Sequence, residues 1–517
     1  MVAASASLHS VRRRVSVLLS APSARLAWWI SFAVLSFLGG LWAVSSPLMS
    51  GPDEGAHTIK AVAVARGELR GRDVRVVGDG PTNQSRRDTH VIIPRAYADL
   101  RACFMFVPTI PAGCAPAVGT DTTPTEATTY TGSYPPLYYA LTGWPSRLLS
   151  PYRALYAMRF CSVAVCSALL ASALVSARRL APDGAGVAAV ALGLTPLVVF
   201  LMGTINPSAF EIAAAMATWA SLLDLLRRRG PAPARLVLRV VVATICFAAV
   251  RPLSPVFAML VVAAVLAMAA TPARLRELAG DRRARLGGLA IVIGLAASTL
   301  WVVASKAYDS FAGTPQPGVS LGTAVRGVID LEPWHTRQMY GVFGWLDTPT
   351  PWGMVMPWLI TCGLVLVVAL ALGSWRERAV LTGWLAVTVA FPVVAEALRV
   401  EKYGYIWQGR YTMPLAVGLP ILSAWVISRS NRVPRPAVRD VALVIIIGMA
   451  IGQLLAHGIA LTRYIVAVPG TQAFGYLSGT GWRPPLSAPL LFVLSIIGCG
   501  GYAVWLAVLT RDRRTTP

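Results

Sequence analysis

Apolar windows recur along the whole chain with polar breaks between them, and each is long enough to cross a hydrocarbon core of roughly 30 Å as a helix. The pattern predicts twelve spans, at 26–46, 156–176, 185–203, 208–226, 238–251, 253–270, 286–305, 354–373, 379–397, 412–428, 441–461 and 488–509. The fifth and sixth share one apolar stretch broken at RPLSP, Arg251 to Pro255. Two prolines there leave a hairpin of short helices as the alternative to two full crossings.

Charge orients this pattern. Arg12, Arg13, Arg14 and Arg25 precede the first span, and the same side collects Arg178, Arg179, Arg227 to Arg229, Arg274 to Arg285, Arg376, Arg378, Arg429 to Arg439 and Arg511 to Arg514. Basic residues near span ends are held in the cytoplasm, so both termini are expected there. The first apolar run is too long for a signal peptide and lacks a clean small-residue cleavage site, so it reads as a permanent helix.

Composition then fixes the class. Of 517 residues 56% are hydrophobic and only 13% charged, with a mean hydropathy of +0.61, which no soluble globular protein approaches. The fold class expected is an all-α polytopic membrane protein. A basic cytoplasmic N-terminus covers 1–25, one transmembrane domain 26–509, and a cytoplasmic tail 510–517; the large outer loops are 47–155 and 306–353. The net charge of +23 reads as an inner-leaflet anchor facing anionic lipid, and no nucleic-acid partner is expected. Abundant Ala and Arg suggest a high-GC bacterium, hence a bacterial plasma membrane.

Candidate chemistry concentrates in the outer loops and at outer span ends. Asp53, Glu54 and His57 leave the first span in SGPDEGAH; Gly51 and Pro52 make a sharp exit, and the stretch beyond starts a surface helix. Such carboxylates are either solvated loop residues or a partly desolvated pair of tunable basicity. In GSYPPLYYAL, Tyr138 and Tyr139 fit an interface belt, whereas Tyr134 sits in a rigid turn suited to lining a site. Arg159, Glu211 and Arg251 are charges inside spans, either an Arg159–Glu211 pair joining helices or functional groups. Gln408, Arg410 and Tyr411 open a later span, where a guanidinium either snorkels or forks onto a phosphate. Lys306, His335 and Asp347 lie in the second outer loop. Cys103 and Cys114 are a candidate disulfide of the first, while the other cysteines read as packing residues within spans. Asn83 begins a glycosylation sequon to which nothing is assigned. No P-loop, dinucleotide fingerprint, HExxH or CxxC occurs, which disfavours an ATP-driven transporter or a zinc protease.

PDEGAH, YPPLYY, TPLVVFLMGTINPSAFE, FGWLD and QGRYTMPL, in this order, resemble the bacterial predicted membrane proteins called domain of unknown function 2142, from about residue 30 to about residue 425. That family is grouped with the GT-C glycosyltransferases, so the resemblance implies a GT-C-like fold, a polyprenyl-phosphate-linked sugar donor and a first-loop acidic motif at Asp53 and Glu54. A membrane-tethered donor needs a groove between spans, a cation for its phosphate and a base for the acceptor hydroxyl. The expected roles follow. Asp53 is the base; Glu54 is its neighbour, or with Asp53 a ligand to a divalent cation, magnesium or manganese. Arg410 holds the phosphate, assisted by Arg251, Lys306 or Arg159, and His57 and Asp347 orient the acceptor. Partners expected are membrane lipid, the donor, and a glycan, glycolipid or protein acceptor. The rival classes are a transporter or flippase of lipid-linked saccharides and a non-catalytic envelope assembly protein.

Overall fold

The computed structural model describes residues 22–77, 85–100, 102–309, 314–467, 474–479 and 481–511. Most of the basic N-terminus, Asn83 and the tail from 512 onward lie outside the described residues. The helix α1 (Ala24–Ser45) is followed by a short helix α2 (Glu54–Val64) and by strands β1 (Arg72–Val77), β2 (Ser85–Pro94) and β3 (Pro124–Thr129). Then come α3 (Leu137–Gly143), α4 (Pro151–Leu180), α5 (Ala185–Gly193), α6 (Pro196–Met202), α7 (Pro207–Arg227), α8 (Ala234–Ala248), α9 (Ser254–Ala269), α10 (Arg282–Ala304) and α11 (Leu321–Gly341). The chain ends with α12 (Trp352–Leu372), α13 (Trp375–Ala397), α14 (Gly409–Ala416), α15 (Gly418–Arg429), α16 (Arg435–Val466) and α17 (Ala488–Leu509).

Among the described residues nine helices are long and apolar enough to cross a membrane, or up to eleven if each of two bent pairs is one span. One bent pair is α5 and α6, which meet at 65° where Pro196 opens α6 and its ring removes a backbone donor. The stretch containing RPLSP becomes α8, of 15 residues, and α9, of 16. At 1.5 Å per residue each is about 22–24 Å long, short of a full crossing.

Buried most deeply is α7, which packs between α4 and α8. Its alanines at 209, 213, 214, 215, 217 and 220 are all buried, and small side chains let helix axes approach. By contrast α10, α12 and α17 keep large apolar side chains exposed, among them Leu300 at 69% and Val504 at 66%; only a lipid environment accommodates such a surface.

Beyond the helices, the long connection from α1 to α4 holds a three-stranded antiparallel sheet in the order β1-β2-β3, with Arg72 opposite His90 and Thr89 opposite Thr129. The apolar pattern did not announce it. The sheet's last strand docks on α2: Thr129 and Thr131 each donate a hydroxyl to the Ala56 carbonyl at 3.0 Å.

At the opposite end of the bundle, arginines close the helices. Arg227 donates to the Arg179 carbonyl at 2.8 Å, at the end of α4. Arg376 reaches the Ala267 and Ala270 carbonyls of α9 at 2.6 and 2.7 Å, and Arg378 the Leu370 carbonyl of α12 at 2.8 Å. The last carbonyls of a helix lack backbone partners and carry partial negative charge, so a guanidinium serves both needs.

Candidate functional site

The exit of α1 is built on an irregular backbone. Met49 and Asp53 both take left-handed dihedrals, with φ of 63° each. A Cβ on Gly51 would stand 2.8 Å from the Thr204 Cβ, so the turn lies tight against the α6–α7 connection, where Asn206 donates its amide to the Pro52 carbonyl at 2.7 Å. Asp53 precedes α2 and Glu54 begins it. The left-handed step between them sends the two carboxylates apart.

Glu54 turns inward. Arg159 of α4 grips it through Nε–Oε1 at 2.7 Å and Nη2–Oε2 at 2.8 Å, both side chains fully buried. The Ile205 and Gly51 amides donate to the same carboxylate at 3.1 and 3.0 Å. Arg159 also donates to the Ala43, Ser46 and Pro47 carbonyls at 2.9, 2.6 and 2.6 Å. The alternative pairing of Arg159 with Glu211 is corrected here: Glu211 faces Arg251 at 3.7 Å and accepts from Ser254 at 2.5 Å. Helix order brings Arg159 to the first loop and leaves Glu211 beside the α8–α9 break.

Asp53 turns the other way. It accepts from the Tyr130 hydroxyl at 2.5 Å and from Arg410 Nη2. Arg410 is 3% exposed, while the Asp53 side chain retains 25% exposure. Arg410 Nη2 also donates to the Tyr411 hydroxyl at 3.1 Å, yet its Nε and Nη1 are buried without a partner. The Arg251 and Arg410 guanidiniums both lie against the Tyr411 ring, at 4.0 and 4.9 Å from its centroid. Buried donors are normally satisfied. Two unpartnered nitrogens beside a second guanidinium make a place for an anion.

Burial pushes the Asp53 carboxyl up, but Arg410, the Tyr130 hydroxyl and Arg251 together hold it below the usual carboxylate range. His57 is driven by burial down to about 3, with Arg251 and Arg410 adding to the shift and Asp53 opposing it. It is therefore a neutral imidazole, sharing a 2.9 Å hydrogen bond between Nδ1 and the Tyr139 hydroxyl. Tyr134 stands 6.2 Å from the His57 ring, and burial pushes its phenol up to about 12. Its turn is tied down by Lys60 at the Gly132 carbonyl and by Trp301 and Ser305 of the α10 end, both at the Ser133 carbonyl at 3.0 Å.

Beside Tyr411 lies a cavity of about 320 Å³, lined by Arg251, Glu211, Glu396 and Trp407 and walled by apolar side chains of α9 and α13. Val394 and Leu398 on its lining are 55% and 67% exposed, so it opens sideways onto the lipid-facing surface.

The remaining candidates fall as follows. Gln408 is half-buried just before α14, with Oε1 unpartnered. Lys306 is exposed at the end of α10. Asp347 accepts from Arg463 at 3.2 Å, and Arg463 also holds the Phe104, Val107 and Ile110 carbonyls. Cys103 and Cys114 are joined in that same segment, so Asp347 works on the fold of the first loop. Among the described residues no three His, Cys, Asp or Glu side chains are grouped to hold a metal ion. Asp53 and Glu54 do not fit a shared divalent cation either, because Arg159 and two amides occupy the second carboxylate and Arg410 and Tyr130 the first.

Two residues escaped the sequence reading. Tyr130 carries no signal beyond its place after β3. Glu396 does carry one, since it is an acid near the end of an apolar span, the criterion that selected Arg159, Glu211 and Arg251.

The family described as predicted membrane protein (DUF2142) matches residues 35–419 of this chain, a segment that holds every member of the cluster from Asp53 to Tyr411. Among solved structures, the crystal structure of ArnT from Cupriavidus metallidurans bound to undecaprenyl phosphate aligns at 12% identity and a TM-score of 0.39, covering 94% of this chain and 77% of that one. No curated protein matches the sequence.

Proposed function

The chain belongs to the predicted membrane protein family DUF2142, and on that premise we propose that it is a membrane glycosyltransferase. It moves a sugar from a polyprenyl-phosphate-linked donor to an envelope glycan, glycolipid or protein on the extracytoplasmic face. The observation that carries this reading is Arg410, a buried guanidinium with two unpartnered nitrogens, fixed by Asp53 and packed on the Tyr411 ring, which with Arg251 lines a laterally open cavity.

A lipid-linked phosphate reaching the cavity from the bilayer takes hydrogen bonds from both arginines, and a guanidinium's planar fork suits phosphate oxygens. Its isoprenoid tail runs out past Val394 and Leu398. Asp53 accepts the proton of the acceptor hydroxyl as that oxygen bonds to the anomeric carbon. The bond from this carbon to the phosphate oxygen breaks with its electron pair on the departing polyprenyl phosphate. A phosphate monoester, with a second pKa of about 6, leaves without a general acid. When Arg410 turns toward the phosphate, Asp53 loses the cation that most depresses its basicity and becomes a better base for the step. Tyr130 keeps the carboxylate oriented, and Glu54 anchors the turn through Arg159. No step runs through a metal.

The break between α5 and α6 favours a second reading, transport of a lipid-linked saccharide, since transporters place their sites at interrupted helices. Proteoliposomes containing the full-length protein, a polyprenyl-phosphate-linked sugar labelled in the sugar, and a membrane glycan fraction separate the two. The transferase moves label to the acceptor and Asp53→Asn stops it. A transporter moves label across the bilayer with its lipid linkage intact, whatever stands at position 53.

A further inference from the structure

One carboxylate of the cavity has no role in the phosphate site. Glu396, near the end of α13, is 2% exposed and lines the cavity. Its carboxylate accepts from the Trp407 amide at 2.6 Å through Oε1 and also lies beside the Ile406 amide, while its Oε2 is buried with no partner at hydrogen-bond distance. The basic residues lining the same cavity are engaged elsewhere: Arg251 faces Glu211 and Tyr411, and Arg399 lies over the Tyr308 ring at 5.6 Å. His335, which interacts with Glu396 electrostatically, is 3% exposed, and its Nδ1 faces the Glu332 carboxylate at 3.7 Å. A buried carboxylate oxygen needs a donor, and a ligand in the cavity is placed to bring one.

The order of groups says which part of a ligand this is. The Trp407 ring is 5.8 Å from Tyr411, against which both arginines lie, and 6.3 Å from Phe391 of the apolar wall. Trp407 thus touches both the Tyr411 ring and the apolar wall, and its backbone amide holds Glu396. A phosphate is drawn to the arginines and repelled by Glu396. A group attached to that phosphate within the cavity meets the buried Trp407 indole of its wall and a lone acceptor, which suit the apolar C–H face and the hydroxyl edge of a sugar. A volume of about 320 Å³ lies within the roughly 300–1,000 Å³ of small-molecule clefts.

We infer that Glu396 and Trp407 form the donor-sugar subsite, and that the sugar it takes is neutral or amino-bearing and not a uronic acid. The inference rests on the lipid-phosphate donor proposed above. Glu396 accepts from a hydroxyl or ammonium of the sugar. It rejects a carboxylate by like charge, so the subsite both selects and excludes.

The test uses the full-length protein in nanodiscs, titrated with undecaprenol, undecaprenyl phosphate, and the phosphodiesters of that lipid with glucose, mannose, galactose, arabinose, glucosamine and glucuronate. At least one neutral or amino ester is expected to bind tenfold or more tightly than bare undecaprenyl phosphate, and the glucuronate ester no more tightly. Glu396→Gln and, independently of the carboxylate, Trp407→Leu are each expected to remove that gain while leaving bare-phosphate affinity within about twofold. The inference is overturned if glucuronate binds best, if no ester exceeds bare phosphate, or if a folded Glu396→Gln or Trp407→Leu protein keeps the ester's gain over bare phosphate. If the wild type binds undecaprenyl phosphate no better than undecaprenol, it is the lipid-phosphate reading itself that fails.

Discussion

Arg159 and Glu54 meet fork to fork at 2.7 and 2.8 Å with neither side chain exposed, and through the Ala43, Ser46 and Pro47 carbonyls the same guanidinium fixes the end of α1. This is a structural clamp one residue away from the carboxylate proposed for chemistry. The division of labour between adjacent acids is testable.

Breaking the clamp is expected to be a stability defect. Removing one member of a buried ion pair leaves the other charge uncompensated, typically at about 3–5 kcal/mol. Glu54→Gln and Arg159→Met should each lower the unfolding temperature of the detergent-solubilised protein sharply, and the double variant less than the sum of the two. Additive losses would show that the two residues act separately.

Asp53→Asn should behave in the opposite way. Asparagine tolerates the left-handed backbone at this position, so folding is retained while sugar transfer falls by roughly 10²–10⁴, the usual worth of a general base. Unchanged transfer in a folded Asp53→Asn protein would remove the carboxylate from the mechanism.

Arg410→Lys keeps the charge and loses the fork. Affinity for undecaprenyl phosphate is expected to drop by about tenfold or more, with the unfolding temperature nearly preserved, because a lysine still reaches Asp53 but offers no planar pair of donors. An equal loss with undecaprenol would show instead that the cavity had collapsed.

Acid should expose His57. Its imidazole has an ordinary value of 6.5 and is held at about 3 in the fold. The unfolded chain therefore binds a proton below about pH 6.5 that the folded protein refuses, and stability falls as pH drops from there toward 3. Asp53, depressed below its ordinary 3.8, contributes stability above that value and loses it only at lower pH. Between pH 6.5 and 3.8 the difference in unfolding temperature between wild type and His57→Asn should thus shrink as the wild type weakens. A constant difference would mean that His57 protonates freely in the folded state.

Cys103 and Cys114 are joined in the segment whose carbonyls Arg463 holds. A membrane-impermeant maleimide added to intact cells should label neither until a reductant is present, and then both. Labelling without reductant would show free thiols, and labelling only after lysis would place this loop in the cytoplasm.

The spans were legible because a membrane helix is a run of composition, and α1, α4, α7, α12, α16 and α17 each contain or closely overlap an expected window. The break at RPLSP was legible because proline is a local device. Partner choice was not. Arg159, Arg251 and Arg410 look alike along the chain, and which acid each meets depends on how helices are ordered around α7. The PDE motif reads as one acidic pair, whereas a single left-handed residue makes it two unrelated sites. The sheet of the first loop stayed hidden because its strands join through backbone hydrogen bonds between segments apart in sequence, with too short an apolar pattern to stand out.

The arginines at the far end of the bundle carry a consequence for the biogenesis of the molecule. Arg227, Arg376 and Arg378 fasten helix carbonyls, so side chains of the kind that biases a segment's direction during insertion are here also the bolts of the finished assembly. Lysine in their place would preserve the insertion code and still yield a looser protein, correctly threaded and quicker to come apart.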